Sequence, residues 1–324
     1  MSRARNEKKS PMEQQEEEGE VGVGSSLPFA TDSSMEVYQI IDLFDSCFKH
    51  ILNAPDLKGF IQQVKGDLYR RDYLEAFAND DKRFAYASRW TPARSLAYAS
   101  LFSSLKPVAD LLGDKEKKIK ALCVGGGASS ELVGLAAVFC RLKEYNPNSP
   151  SRLELTVVDI ANWSVVVDRI TSYVQQNWLY QQDRLHTKFV NADILDIDLS
   201  SLELSNTDLI TLMFTTNELF SEKRKETIKF LSALNMQCKS GALLLLAESA
   251  GSFSNITVGG KQFPVQFLVD TILIGKLGSK ENNSGAWEIV SQSDSVWYRI
   301  LEKEVSYPLK LENMRFFYRL YRKK

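Results

Sequence analysis

Between residue 34 and about residue 107 the apolar positions recur every three or four residues. Beyond Lys118 they condense into short continuous runs separated by helical stretches. In the first region Val37, Ile40, Ile41, Phe44, Phe48 and Ile51 share one helical face. Ser33 and Glu36 have the spacing of a capping box that would start that helix. Phe60, Val64, Leu68 and Phe77 continue as a second helical pattern. A third runs from Pro92, suited to a first turn, through Leu96 and Leu101 to Leu105. The spacing therefore predicts an N-terminal helical segment over residues 34–107.

The pattern then alternates. KIKALCV (118–124), LELTVVDI (153–160), KFVNAD (188–193), DLITLMF (208–214) and GALLLLAES (241–249) read as strands, the last wholly apolar. Helical patterns fall at 129–142, 164–178, 221–236 and 265–275. Nearly continuous apolar strands joined by helices predict a mostly parallel sheet with helices on both faces, occupying residues 108–324. WEIV (287–290), VWYRI (296–300) and MRFFYRLYR (314–322) alternate in polarity and predict antiparallel strands at the end. Residues 1–33 are poor in apolar positions. Arg3, Arg5, Lys8 and Lys9 precede the acidic run Glu16, Glu17, Glu18 and Glu20, the composition of a disordered tail. The basic cluster is alternatively a nuclear signal.

Composition narrows the class. Hydrophobic residues at 44% and charged residues at 25% exclude collagen, global disorder and a disulfide scaffold. No run approaches the roughly 20 apolar residues of a membrane span, and the N-terminus lacks the apolar core of a secretory signal. Four scattered cysteines, no C-x-x-C pair and two histidines predict reduced thiols and no metal site. A net charge of -1 means that a polyanionic partner would need a local basic patch.

In a parallel sheet, ligands bind beyond the carboxyl ends of the strands. Gly125, Gly126 and Gly127 end the first strand, where a tight turn meets a helix N-terminus; a packing turn with no ligand is the competing reading. Asp159, followed by Ile160, closes the second strand and could accept from both hydroxyls of a ribose. Asp193, followed by Ile194, closes the third and could accept from an exocyclic amine. A solvated turn aspartate is the alternative for each. Thr215, Thr216, Asn217 and Glu218 follow the fourth strand, where a substrate beside a cofactor would lie; a helix N-terminus would look the same. Ser130 replaces the last glycine of a dinucleotide fingerprint and no Gly-Lys-Ser/Thr ending exists, so S-adenosylmethionine fits better than a dinucleotide or a nucleoside triphosphate.

ALCVGGGASSELVGL, VVDIANWSVVVDRI, MFTTNELF, FPVQFLVDTILI, SVWYRI and YPLKLENMRFFYRLYR, together with the chain from about 35 to 324, resemble the fungal large-subunit rRNA (uridine-N3) methyltransferases, a class I methyltransferase group. The resemblance implies a Rossmann-like, mostly parallel seven-stranded sheet, S-adenosylmethionine as donor and N3 of one uridine as acceptor. It also implies large-subunit rRNA or a pre-ribosomal particle as partner, and a nuclear or nucleolar, partly cytoplasmic, location. A monomer is expected. Two positions depart from the general methyltransferase pattern: Cys123 stands where an acid is often found, and Ser129 replaces a third glycine. Contacts to the methionine end would then come from elsewhere, from backbone near Gly125 or from Glu218.

The uracil N3 proton must leave, which suggests Glu218 as its acceptor, with Asn217 and Thr216 reading the base edge. Arg89, Trp90 and Arg94 combine charge and an aromatic ring suited to RNA, as do Arg315 and Arg319 in the last strand, where protective edge charges are the alternative. A small-molecule methyltransferase and a ribosome-assembly factor without catalysis remain as competing functions.

Overall fold

Helices and strands alternate as the apolar pattern demands. The computed structural model describes residues 25–143, 149–251, 254–258, 260–275 and 285–324. In chain order the strands are β1 (Ser25–Ser26), β2 (Lys118–Val124), β3 (Arg152–Asp159), β4 (Leu185–Asn191), β5 (Leu209–Met213), β6 (Leu243–Ser249), β7 (Asn255–Val258), β8 (Lys261–Pro264), β9 (Trp287–Tyr298) and β10 (Met314–Lys323). The helices are α1 (Val37–Leu52), α2 (Leu57–Tyr69), α3 (Tyr73–Ala76), α4 (Asp80–Arg89), α5 (Thr91–Ser104), α6 (Lys106–Gly113), α7 (Ser130–Lys143), α8 (Ser164–Asn177), α9 (Thr216–Glu222), α10 (Arg224–Gln237) and α11 (Val265–Leu273).

The main sheet runs β1-β9-β10-β6-β5-β2-β3-β4. Strands β2 to β6 are mutually parallel, and β10 is antiparallel to both β6 and β9. Alternate strand residues enter different cores: Ala121 and Cys123 pack with α1, α5, α7 and α8, whereas Leu122 and Val124 pack with α10 and α11. Burial on both faces explains why these strands read as unbroken apolar runs. From β2 the chain winds outward through β3 to β4, then returns to β5 on the other side of β2. That reversal opens a crevice at the carboxyl ends.

Seven strands form the sheet as expected, and an eighth comes from the segment read as a tail. Residues 1–24 lie outside the described residues. Ser25 and Ser26 pair with β9, Leu27 N–H donates to Trp297 O at 2.7 Å, and the Phe29 carbonyl accepts from Tyr298 Oη at 3.0 Å. Residues 25–29 are thus held by distant partners that a composition reading does not see.

Other boundaries move for local reasons. The box at the start of α1 is formed by Glu36 and Gln39 rather than by Ser33 and Glu36, with Glu36 N–H donating to Gln39 Oε1 at 3.0 Å. Arg71 adopts φ 59, which breaks the second helical pattern before Phe77. Pro107 sits in the first turn of α6. The two strands expected at 287–300 are one, β9, whose register against β10 slips twice.

Candidate functional site

Gly125 leaves β2 with φ +71, and its N–H donates to Val158 O at 2.8 Å. A Cβ there would stand 2.2 Å from Thr215 Cγ2, so the turn after β2 and the turn after β5 close on each other only through glycine. Thr215 Oγ1 fastens the same junction by donating to Val124 O at 2.9 Å. Around it lies a cavity of about 430 Å³, within the usual range for small-molecule sites.

Asp159 Oδ2 accepts from Gly127 N–H and Oδ1 from Ala161 N–H, each at 3.0 Å. Burial pushes this carboxyl up to about 6 against the pull of those donors. An ionised carboxylate offers about four acceptor sites, so two amides leave capacity for ligand hydroxyls. Beside it Ile160 remains 49% exposed in the cavity wall, an apolar surface without a partner. Asp193 Oδ1 accepts from Leu195 N–H at 2.9 Å, while Oδ2 pairs with Lys223 at 2.7 Å; Lys223 also binds Asp196. Gly125, Gly126, Asp159, Ile160, Asp193, Ile194 and Thr215 all line the cavity.

Gly127 does not line it. A Cβ there would lie 2.0 Å from Trp163 Cδ1 and 2.7 Å from Asp159 Oδ2, so this glycine makes room for the indole.

Glu218, in the first turn of α9, faces the cavity and accepts from the Tyr73 hydroxyl of α3. Burial raises its carboxyl to about 7, with Arg94 and Arg71 pulling the other way. Thr216 and Asn217, expected to read a base edge, are outside the lining. Thr216 is 1% exposed, and Asn217 N–H donates to Glu248 Oε1 at 2.9 Å. Thr216 is thus buried, and the backbone of Asn217 is tied to β6.

The expected RNA contacts separate. Arg94 is no surface residue: its guanidinium lines the cavity, donates to the Tyr86 hydroxyl and lies over the Tyr86 and Phe214 rings. Arg319 is 6% exposed and donates to Asp294 Oδ1 at 2.5 Å, because β10 is covered on both faces. Arg315 is exposed, with Nε donating to Ser295 Oγ at 3.0 Å. Arg89 pairs with Glu312 and lies over the half-buried Trp90 ring at 5.5 Å.

Sequence reasoning missed Glu131, 3% exposed in the first turn of α7, and Tyr73, Tyr86 and Tyr98 in the helical segment. An acid in a first helical turn ordinarily marks only the helix dipole, so Glu131 carried no distinct signal. Among the described residues no group of three His, Cys, Asp or Glu side chains could hold a metal ion, and no helix is long and apolar enough to cross a membrane.

A glycine turn, a buried acid at the end of β3 and a cavity at the switch between β2 and β5, on a parallel sheet closed by an antiparallel last strand, define a class I S-adenosylmethionine-dependent methyltransferase. The chain belongs to the Methyltransf_34 family of SAM-dependent methyltransferases, which it matches over residues 44–322. It is 42% identical over 326 residues to the 25S rRNA (uridine(2843)-N(3))-methyltransferase of Saccharomyces cerevisiae, covering 92% of this chain and 88% of that relative. Among solved structures it is similar to the N-methyltransferase NodS of Bradyrhizobium japonicum bound to S-adenosyl-L-homocysteine. The TM-score is 0.39 at 15% identity, over 81% of this chain and 98% of that one. An O-methyltransferase family protein of Burkholderia thailandensis gives 0.40 at 11% identity, over 84% and 74%. The residues present fit an adenosyl ligand: the Asp159 carboxylate has acceptor capacity left, and the exposed Ile160 beside it offers an apolar face.

Proposed function

We propose that this protein methylates N3 of a uridine in large-subunit rRNA, free or within an assembling particle, acting as a monomer in the nucleus or nucleolus and partly in the cytoplasm. The similarity to the yeast uridine-N3 enzyme supports the acceptor. The observation that carries the chemistry is Glu218, a carboxyl raised to about 7 at the wall of the cavity.

Asp159 would hold the ribose, Ile160 and Ile194 the faces of the adenine, and backbone at Gly125 and Gly126 the turn of the cofactor, whose sulfonium carries an already activated methyl group. N3 of uracil lies on the Watson–Crick edge and bears a proton, so the base must be unpaired before it enters. Glu218 accepts that proton. A base poised near 7 is ionised in part at neutral pH yet still basic enough to take up a proton. The Tyr73 hydroxyl fixes the Glu218 carboxylate by donating to it, and burial keeps that phenol protonated. Tyr86, Tyr98 and Phe214 wall the cavity. Of the contacts proposed for RNA, Arg315 is exposed, while Arg89 and Trp90 are half-buried.

The test is transfer of labelled methyl to isolated rRNA lacking this modification. Large-subunit rRNA should accept label and small-subunit rRNA should not, and a complementary DNA strand annealed over the target should block transfer. Label on both subunits, or transfer unaffected by pairing, would overturn the reading.

A further inference from the structure

Two ionisable side chains in the cavity wall take no part in the proton transfer above. Glu131 Oε1 is buried without a hydrogen-bond partner, a costly state for a carboxyl oxygen unless something else supplies the donor. Arg94 donates to the Tyr86 hydroxyl, and among the described residues no carboxylate lies within 4.0 Å of its guanidinium. An acid and a base thus face one cavity without pairing to each other.

Their position is specific. A Cβ on Gly126 would meet Cys123 Cβ at 3.0 Å and Glu131 Oε1 at 3.4 Å. The Glu131 carboxyl group and the Cys123 side chain therefore flank the same glycine. Glu131 brings a carboxyl group from α7 to the end of β2, beside the Cys123 side chain. Arg94 arrives from α5, outside the sheet-forming part of the chain.

We infer that Glu131 and Arg94 together bind the zwitterionic amino-acid end of the cofactor, Glu131 accepting from the α-ammonium and Arg94 donating to the α-carboxylate. A simple anion would satisfy Arg94 and leave Glu131 opposed, and a simple cation would do the reverse. Only a ligand carrying both charges answers both groups. Charge-assisted bonds of this kind are about twice as strong as neutral ones. The inference rests on the cofactor of the family and not on the identity of the acceptor.

A proton moves with the ligand. Burial and the neighbouring Asp159 push the Glu131 carboxyl up to about 8, while Arg94 pulls it down; Tyr98 and Cys123, also facing it, are kept neutral by burial. An arriving ammonium favours the ionised form, so binding near neutral pH should release a proton from Glu131.

The experiment is calorimetry on the full chain with two probes that need no RNA. S-adenosylhomocysteine carries the amino-acid end, and 5′-methylthioadenosine lacks it. The wild type should prefer the first by about 10-fold or more, the scale of one charge-assisted bond. Glu131→Gln, close in shape to the protonated form, should erase most of that preference. It should leave 5′-methylthioadenosine within about 2-fold and abolish the buffer-dependent proton release. Arg94→Gln should lose the preference too; if it does not fold, Glu131→Gln decides alone. Equal losses for both probes, no loss, or no preference in the wild type would overturn the inference, while leaving the uridine acceptor untouched.

Discussion

Glu218 is surrounded by groups that keep its carboxyl near neutrality without forming an ion pair with it. Glu218→Gln keeps the size and a hydrogen-bonding end but cannot take up the proton. Methyl transfer should fall by about 10²–10⁴, the usual range for a lost general base, and partly recover at higher pH as solvent takes the proton. Cofactor affinity, read by calorimetry, should change little. A rate within a few-fold of the wild type would reduce Glu218 to a helix-terminal acid. The other wall residues show what a sequence can carry at this scale. Gly125, Asp159 and Asp193 were legible because each ends an apolar run, and strand ends converge in any such sheet. Glu131, Tyr73 and the inward course of Arg94 were not, because three separate helices bring them together. Arg319 misled for a related reason. Alternation in β10 looks like a solvated edge strand until both faces are seen to be covered.

At the level of elements, the contact of α5 with α7 binds the helical segment to the sheet and holds Arg94 opposite Glu131. The helices meet at Gly134, where a Cβ would already lie 3.0 Å from Tyr98 Cβ and Phe102 Cε2 and 3.2 Å from Ala99 N. Gly134→Val adds a branched side chain into that gap. It should destabilise the fold by about 1–3 kcal/mol, the cost of overpacking a filled core, measured by denaturant unfolding. Unchanged stability would mean that the two helices are not held at this distance. The segment 25–33 is the other element that periodicity could not reveal, since its partners are backbone and side-chain groups far along the chain. Ser100 Oγ donates to Pro28 O at 2.7 Å, and the Phe29 ring stacks on Tyr298 at 6.4 Å. Removing residues through 33 should lower the melting temperature by about 2–4 °C for each kcal/mol those contacts supply. An unaltered melting curve would show the segment to be dispensable. The parallel strands were readable, KIKALCV to the residue, because burial on both faces leaves mostly apolar positions.

Four carboxyl groups clustered at one end of the sheet set the behaviour of the molecule as a whole. Asp159 is raised to about 6, Glu218 to about 7, and Glu131 and Glu248 to about 8, burial being the largest cause in each. The folded protein therefore binds protons that the unfolded chain has released. The stability tied to these groups is fully present below the ordinary carboxylate range and is lost as pH rises through 6 to 8. Cofactor-free protein should melt progressively lower between pH 6 and pH 8.5, and a flat profile would mean that the carboxyl groups are solvated. The same cluster makes the site suited to taking a proton from a base and holding a cationic cofactor, which ties stability to activity across the chain. The most direct measurement uses S-adenosylmethionine with a deuterated methyl group, large-subunit rRNA lacking the modification, and nucleoside mass spectrometry. The account predicts one labelled methyl per rRNA, recovered as 3-methyluridine. Label on any other nucleoside, or on a small molecule and not on rRNA, would contradict it.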